Sequence, residues 1–235
     1  MAIFYSPSII ISDLVLCLDA GNPKSYPGSG TTWTDLSGRG NNGTLTNGPT
    51  YSSSNGGSLV FDGTNDFVNL GTPPVITGRQ VPLTICGWAR ANTVTSSHVL
   101  WGVYNQSALG QLYSMIRIDS GILKYFTSNS TGGYQSNGTF TPSINTWNFY
   151  AVTVSGTISS PSVTVYLNNS SETFSYSTLT SSPDLSIPFR IGSNSQDSPA
   201  ELWNGNISNV MWYNRALSTE EIQQNYNALR SRFSI

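Results

Sequence analysis

Asn204-Gly205-Asn206-Ile207-Ser208-Asn209-Val210-Met211-Trp212-Tyr213-Asn214-Arg215-Ala216-Leu217-Ser218-Thr219-Glu220-Glu221-Ile222 reads as a tight turn, a strand and one capped helix. Ser218 is placed to cap that helix, Glu221 can reach back to the Ser218 amide, and Leu217 can staple onto Ile222 across the first turn. Ile222, Tyr226, Leu229 and Phe233 then fall at i, i+4, i+7 and i+11, a stripe that needs an apolar surface to lie on. Everything upstream reads as β. Short strand-like runs recur between Gly, Asn, Asp and Ser clusters: Leu14 to Leu18, Ser58 to Phe61, Phe67 to Leu70, Pro82 to Ala91, Val99 to Tyr104, Leu112 to Ile118, Ile122 to Phe126, Trp147 to Val154, Ser162 to Leu167, Phe189 to Ile191 and Ile207 to Tyr213. Many short strands separated by turn signals predict two packed antiparallel sheets. Asn47-Gly48, Asn55-Gly56, Asp62-Gly63, Asn137-Gly138 and Asn204-Gly205 supply the positive φ angles of tight reversals. Trp147 to Val154 carries large apolar groups at both odd and even positions, which predicts a central strand covered on both faces. Asn22 to Ser58 is loop-rich and is expected to wrap a sandwich edge.

Composition narrows the partners. Of 235 residues, 9% are charged, against about 25% in an average globular protein. The net charge is −2, and the two lysines and eight arginines are scattered, so neither nucleic acid nor anionic lipid finds an electrostatic footprint. No apolar run reaches the roughly 18 residues of a membrane span. The apolar start is broken by Pro7 and Asp13 and lacks a basic flank, so it does not read as a signal peptide. Cys17 and Cys86 sit in apolar strand-like runs and are expected to be buried free thiols.

Three segments, in this order, resemble the laminin-G-like, concanavalin-A-like jelly-roll family: Leu18 to Asn22 with Trp33 to Leu45; Leu59-Val60-Phe61-Asp62-Gly63-Thr64-Asn65-Asp66-Phe67 to Gly71; and Trp203 to Ile222. The resemblance covers about residues 14–232 and implies an all-β, antiparallel two-sheet sandwich, a concanavalin-A-like jelly roll with one C-terminal α-helix. Residues 14–235 then form the domain, and residues 1–13 a docking segment. The loop-rich opening, together with Gln223-Gln224-Asn225-Tyr226-Asn227-Ala228-Leu229, is similar to the version found in structural proteins of tailed, particularly marine, bacteriophages. That likeness implies a non-enzymatic virion surface protein, a capsid decoration or appendage, held by other virion proteins through Ile3 to Ile11 and present in several identical copies. A glycan-binding adhesin or tail receptor-recognition protein is the alternative. One departure stands out: Ser208 and Asn209 occupy the place where many family members carry an acidic pair.

Catalytic chemistry finds little support. Retaining glycosidases need two carboxylates about 5–5.5 Å apart, yet the glutamates are only Glu172, Glu201, Glu220 and Glu221, and neither Glu172 nor Glu201 has an acidic neighbour on its strand face. The single His98 cannot build a histidine-rich metal site, no Gly-x-Ser-x-Gly elbow accompanies it, and it reads as a strand-entry residue. The chain is expected not to be an enzyme. Calcium takes carboxylate and carbonyl oxygens from loops, and it is common in the family the chain resembles. Asp35, Asp62 and Asp66, with Asp19 beside them, are the candidate ligands, although Asx turns would use the same residues without an ion. A sugar would need aromatic platforms near neutral amides. Among Trp101, Tyr104, Tyr113, Tyr134, Trp203 and Trp212, the two set amid Gly, Asn and Ser are Tyr134 and Trp203. Those two are the expected glycan contacts, the others being assigned mainly to the core.

Overall fold

The computed structural model describes residues 7–72, 81–103, 114–129, 132–135, 138–157, 159–176, 187–195 and 200–235. In chain order the strands are β1 (Leu14–Asp19), β2 (Thr32–Trp33), β3 (Gly43–Thr46), β4 (Thr50–Ser52), β5 (Ser58–Asp62), β6 (Phe67–Asn69), β7 (Leu83–Ala91), β8 (His98–Val103), β9 (Ser114–Asp119), β10 (Ile122–Asn129), β11 (Gly132–Gln135), β12 (Trp147–Thr157), β13 (Ser160–Leu167), β14 (Ser170–Ser175), β15 (Arg190–Ile191) and β16 (Asn204–Tyr213). A helix α1 (Thr219–Leu229) follows, continued by a 3-10 turn over Arg230–Phe233. Pairing is antiparallel throughout and builds two sheets. The first runs β14-β13-β12-β7-β16-β5-β4, with β1 also on β16, and the second runs β11-β10-β9-β8-β15-β6-β3-β2. The main core lies between them, built from residues such as Leu16, Phe61, Trp101, Tyr150, Phe189, Trp203 and Trp212.

The outer face of the first sheet is also covered. On β12, Tyr150, Val152 and Val154 enter the main core, while Trp147, Phe149 and Ala151 join a second cluster beneath the helix. Trp88 of β7 is the centre of that cluster, its ring 5.2 Å from Tyr226, 4.6 Å from Phe233 and 5.5 Å from Phe149. The expected apolar stripe therefore meets its surface: Ile222, Tyr226 and Phe233 are buried and Leu229 packs alongside. The helix start is a capping box, with the Ser218 hydroxyl accepting from the Glu221 amide and the Glu221 carboxylate accepting from the Ser218 amide, which satisfies two otherwise unpaired donors.

One expectation needs correction, and two gain detail. Asn204-Gly205 makes no turn; both residues lie inside β16, opposite Asp62 and Phe61. Gly205 holds φ +144°, and a Cβ there would sit 2.1 Å from the Arg90 carbonyl oxygen, so glycine answers a close strand approach rather than a reversal. Within the N-terminal segment expected to dock on other virion proteins, Ser8 to Ile10 also bond to their own chain. The Ile10 amide donates to Asn225 Oδ1, the Tyr213 hydroxyl donates to the Ile10 carbonyl, and Gln224 Nε2 donates to the Ser8 carbonyl. Residues 1–6 of the same segment lie outside the described residues. Finally, Asn22 to Ser58 holds more structure than its texture suggests: β2 and β3 extend the second sheet to its edge, and β4 closes one edge of the first.

Cys17 and Cys86 are free and buried. They face Met211 from β1 and β7 respectively. Burial, with the charges of Asp19 and Asp35, pushes the Cys17 thiol up to about 12, so it remains protonated at neutral pH.

Candidate functional site

The outer face of the second sheet carries no helix among the described residues, and it gathers a dense charged group in a chain otherwise poor in charge. Alternation on β9 and β10 sends Ile116, Ile118, Leu123 and Tyr125 into the core and leaves Arg117, Asp119, Lys124 and Phe126 on the outer side. The reversal at Ser120 (φ +50°) and Gly121 (φ +85°) sets the register that places Lys124 opposite Arg117 and Phe126 opposite Met115. The Arg117 guanidinium lies 3.8 Å from the centre of the Phe126 ring, a cation–π contact. Its Nη1 reaches Glu201 Oε1 at 2.5 Å and its Nη2 lies 3.5 Å from Asp119 Oδ2. Lys124 Nζ is 3.0 Å from Asp119 Oδ2, and the Ser97 hydroxyl donates to Asp119 Oδ1.

Glu201 comes from outside the hairpin and is held by its backbone. It adopts φ +54°; the Val99 amide donates to its carbonyl. His98 Nδ1 lies 2.7 Å from the neighbouring Leu202 carbonyl and Nε2 3.0 Å from the Ser96 hydroxyl. The carbonyl can only accept, so Nδ1 bears the proton in that contact. His98 does enter strand β8, and it pins the turn that presents Glu201. The four charged side chains are partly buried, with exposures of 14% for Arg117, 21% for Asp119, 18% for Lys124 and 22% for Glu201. Arg117 Nε and Glu201 Oε2 are buried without a hydrogen-bond partner among the described residues. Further along the same sheet Arg190 repeats the motif, its guanidinium 4.5 Å from the Phe67 ring centre and its Nη1 donating to the Asn194 carbonyl.

Burial alone would raise the Asp119 carboxyl. Hydrogen bonds from Ser97 and Lys124, with the charges of Arg117 and Lys124, outweigh it and hold the group below its ordinary value. A carboxyl lowered on folding contributes stability that is present above the unfolded value, near pH 4, and is lost as pH falls through the folded one. Urea unfolding of wild type and Asp119→Asn at pH 7 and pH 3 is expected to show a stability gap that narrows in acid. A gap independent of pH would contradict the assignment.

The residues singled out from sequence lie elsewhere. Trp203, expected to be exposed, is fully buried in the main core. Its amide donates to the Gly192 carbonyl, and the indole lies between the sheets despite its polar neighbours in sequence. Tyr134 lies on the edge strand β11, paired with Thr127, and its side chain is outside the described residues, as are Tyr104 and Tyr113. Asp35 accepts from the Cys17, Ser37 and Asn41 amides and from the Ser37 hydroxyl. Its carboxylate thereby covers the free edge of β1. Asp62 and Asp66 do meet, but through the Asp62 amide donating to Asp66 Oδ2, while Asp62 Oδ1 accepts from the Thr64 and Asn65 amides in an Asx turn. Asp19 is held by Arg232. Among the described residues no three Asp, Glu, His or Cys side chains converge to hold a metal ion, so the donor set does not fit the calcium site expected at Asp35, Asp62 and Asp66. Sequence reading missed Arg117, Asp119, Lys124 and Glu201. The first three were within reach, since Arg117-Ile118-Asp119-Ser120-Gly121-Ile122-Leu123-Lys124 combines alternation with a two-residue reversal; Glu201 depends on tertiary contacts.

Ser208 and Asn209, in place of the acidic pair, serve structure. The Ser208 hydroxyl donates to the Gly57 carbonyl and accepts from Arg232, and Asn209 Oδ1 accepts from the Trp88 amide. No helix of the described residues is long and apolar enough to cross a membrane.

The family model for the concanavalin A-like lectin/glucanases superfamily (Laminin_G_3) matches residues 62–223. No curated protein sequence matches the chain. Among solved structures, domain 4 of AbnA, an extracellular arabinanase from Geobacillus stearothermophilus, in complex with arabinotriose, superimposes with a TM-score of 0.67 at 16% identity, covering 91% of this chain and 98% of that one. The binding domain of botulinum neurotoxin serotype D gives 0.66 at 11% identity over 92% of this chain. Trypanosoma rangeli sialidase in complex with sialic acid gives 0.66 at 15% over 99%. This chain spans 52% of the neurotoxin domain and 35% of the sialidase. At these identities the likeness is one of fold.

Proposed function

Because this chain belongs to the concanavalin A-like lectin/glucanase superfamily, we propose that it is a non-catalytic glycan-recognition domain that takes a neutral sugar on the outer face of the second sheet. The carrying observation is the Arg117, Asp119, Lys124 and Glu201 group, two cations and two anions already balanced against each other. Such a group offers donors to sugar oxygens and acceptors to sugar hydroxyls while holding no net charge for an acidic glycan. Each side chain is fixed by its neighbours, so little rotamer freedom remains to be lost on binding. Arabinotriose, found with the AbnA domain, is itself a neutral oligosaccharide.

A glycan array probed with the full chain is the test. Neutral glycans are expected to bind equally with and without a calcium chelator, and an array silent for neutral sugars would contradict the reading. The bound sugars are expected to stay intact on prolonged incubation. A virion surface location, as a capsid decoration or tail appendage, rests on the likeness of the opening and closing segments to phage structural domains. Mass spectrometry of purified particles would test it, and absence from particles would rule it out.

A further inference from the structure

A cavity lies on the opposite side of the molecule from that charged group, between the N-terminal segment, α1 and the outer face of the first sheet. It measures about 250 Å³ and is walled by Pro7, Ile9, Cys17, Met211, Ala228 and Leu229. An apolar cavity of about 150 Å³ holds one benzene, so this one admits a substituted ring or branched chain. Asn209 also lines it and is only 1% exposed. Its Oδ1 accepts from the Trp88 amide at 3.1 Å, which only an oxygen can do, so the orientation of the amide is fixed. Nδ2 is then left buried without a partner among the described residues, and a buried donor left unpaired carries a desolvation penalty. Asp19, the charged residue of the lining, is neutralised by Arg232 at 2.9 and 3.0 Å, and the Cys17 thiol is kept protonated by its burial.

We infer that this cavity binds a small neutral compound with an apolar body and one carbonyl-type acceptor, the acceptor receiving a hydrogen bond from Asn209 Nδ2. The site is independent of the sugar-binding face. Acetophenone and ethylbenzene are matched probes, alike in shape and differing in the acceptor. Titration of the full chain with acetophenone, followed by the Asn209 side-chain amide in nitrogen-15 NMR, is expected to give a saturable shift. Asn209→Asp keeps the acceptor for Trp88 and loses the donor, so acetophenone affinity should fall about fivefold while ethylbenzene affinity changes little. Ala228→Leu should weaken both probes by filling the space. The melting temperature of each variant verifies folding, and Asn209→Asp decides alone if Ala228→Leu does not fold. Failure of acetophenone to shift the Asn209 amide, or equal loss of both probes in Asn209→Asp, would overturn the inference.

Discussion

Trp88→Ala is expected to cost about 3–5 kcal/mol, the range for truncating a buried aromatic in a well-packed core. Trp88 is fully buried and touches the rings of Phe149, Tyr226 and Phe233, so its removal empties the seat of the helix. Collapse cannot refill that space, because β7 and its neighbour β12 are held by continuous pairing from Leu83 to Arg90. At about 2–4 °C per kcal/mol for a domain of this size, the melting temperature should drop by roughly 6–20 °C. Thermal and urea unfolding followed by circular dichroism measure it. A loss below about 1 kcal/mol would mean that the helix contributes little to the fold.

Asp35→Ala is expected to cost about 2–4 kcal/mol, with no contribution from calcium. The substitution strips the acceptor from the Cys17 and Asn41 amides, both buried contacts, and each buried donor left unpaired costs about 1–3 kcal/mol. Ser37 lies nearer solvent and can turn to water. Asp35→Asn should restore only part of the loss, since one of its two acceptor atoms becomes a donor. Unfolding of wild type in chelator should coincide with unfolding in calcium. A melting temperature lowered by chelator, together with a milder Asp35→Ala, would restore the loop aspartates as ion ligands.

The sandwich was legible because its central strands are written in apolar alternation. Trp147 to Val154 announced a strand buried on both faces, and β12 lies between β7 and β13 with the helix cluster outside. Most of the strands that escaped notice are outermost, and β3, which lies between β6 and β2, is only four residues long. β14, Ser170 to Ser175, is polar and largely exposed at one end of the first sheet, and β4 is three residues long at the other. In the second sheet β11 and β2 are likewise outermost. An edge strand needs no apolar face of its own, so periodicity cannot reveal it. Trp203 misled for the opposite reason: its sequence neighbours are polar, while its indole is fully buried in the main core. The role of Asp35 was hidden because its buried donor at Cys17 lies 18 residues away. At the site, the charges of Arg117, Asp119 and Lys124 were visible, but their convergence with Glu201, 84 residues from Arg117, exists only in the folded chain.

Calorimetric titration of a neutral glycan selected on the array into wild type and Arg117→Lys, both verified as folded, tests the central claim most directly. Lysine keeps the charge but not the planar fork that joins Glu201, Asp119 and the Phe126 face. The expected result is at least about a tenfold loss of affinity, corresponding to about 1.4 kcal/mol. Unchanged affinity in Arg117→Lys would place the sugar elsewhere and contradict the assignment of this face.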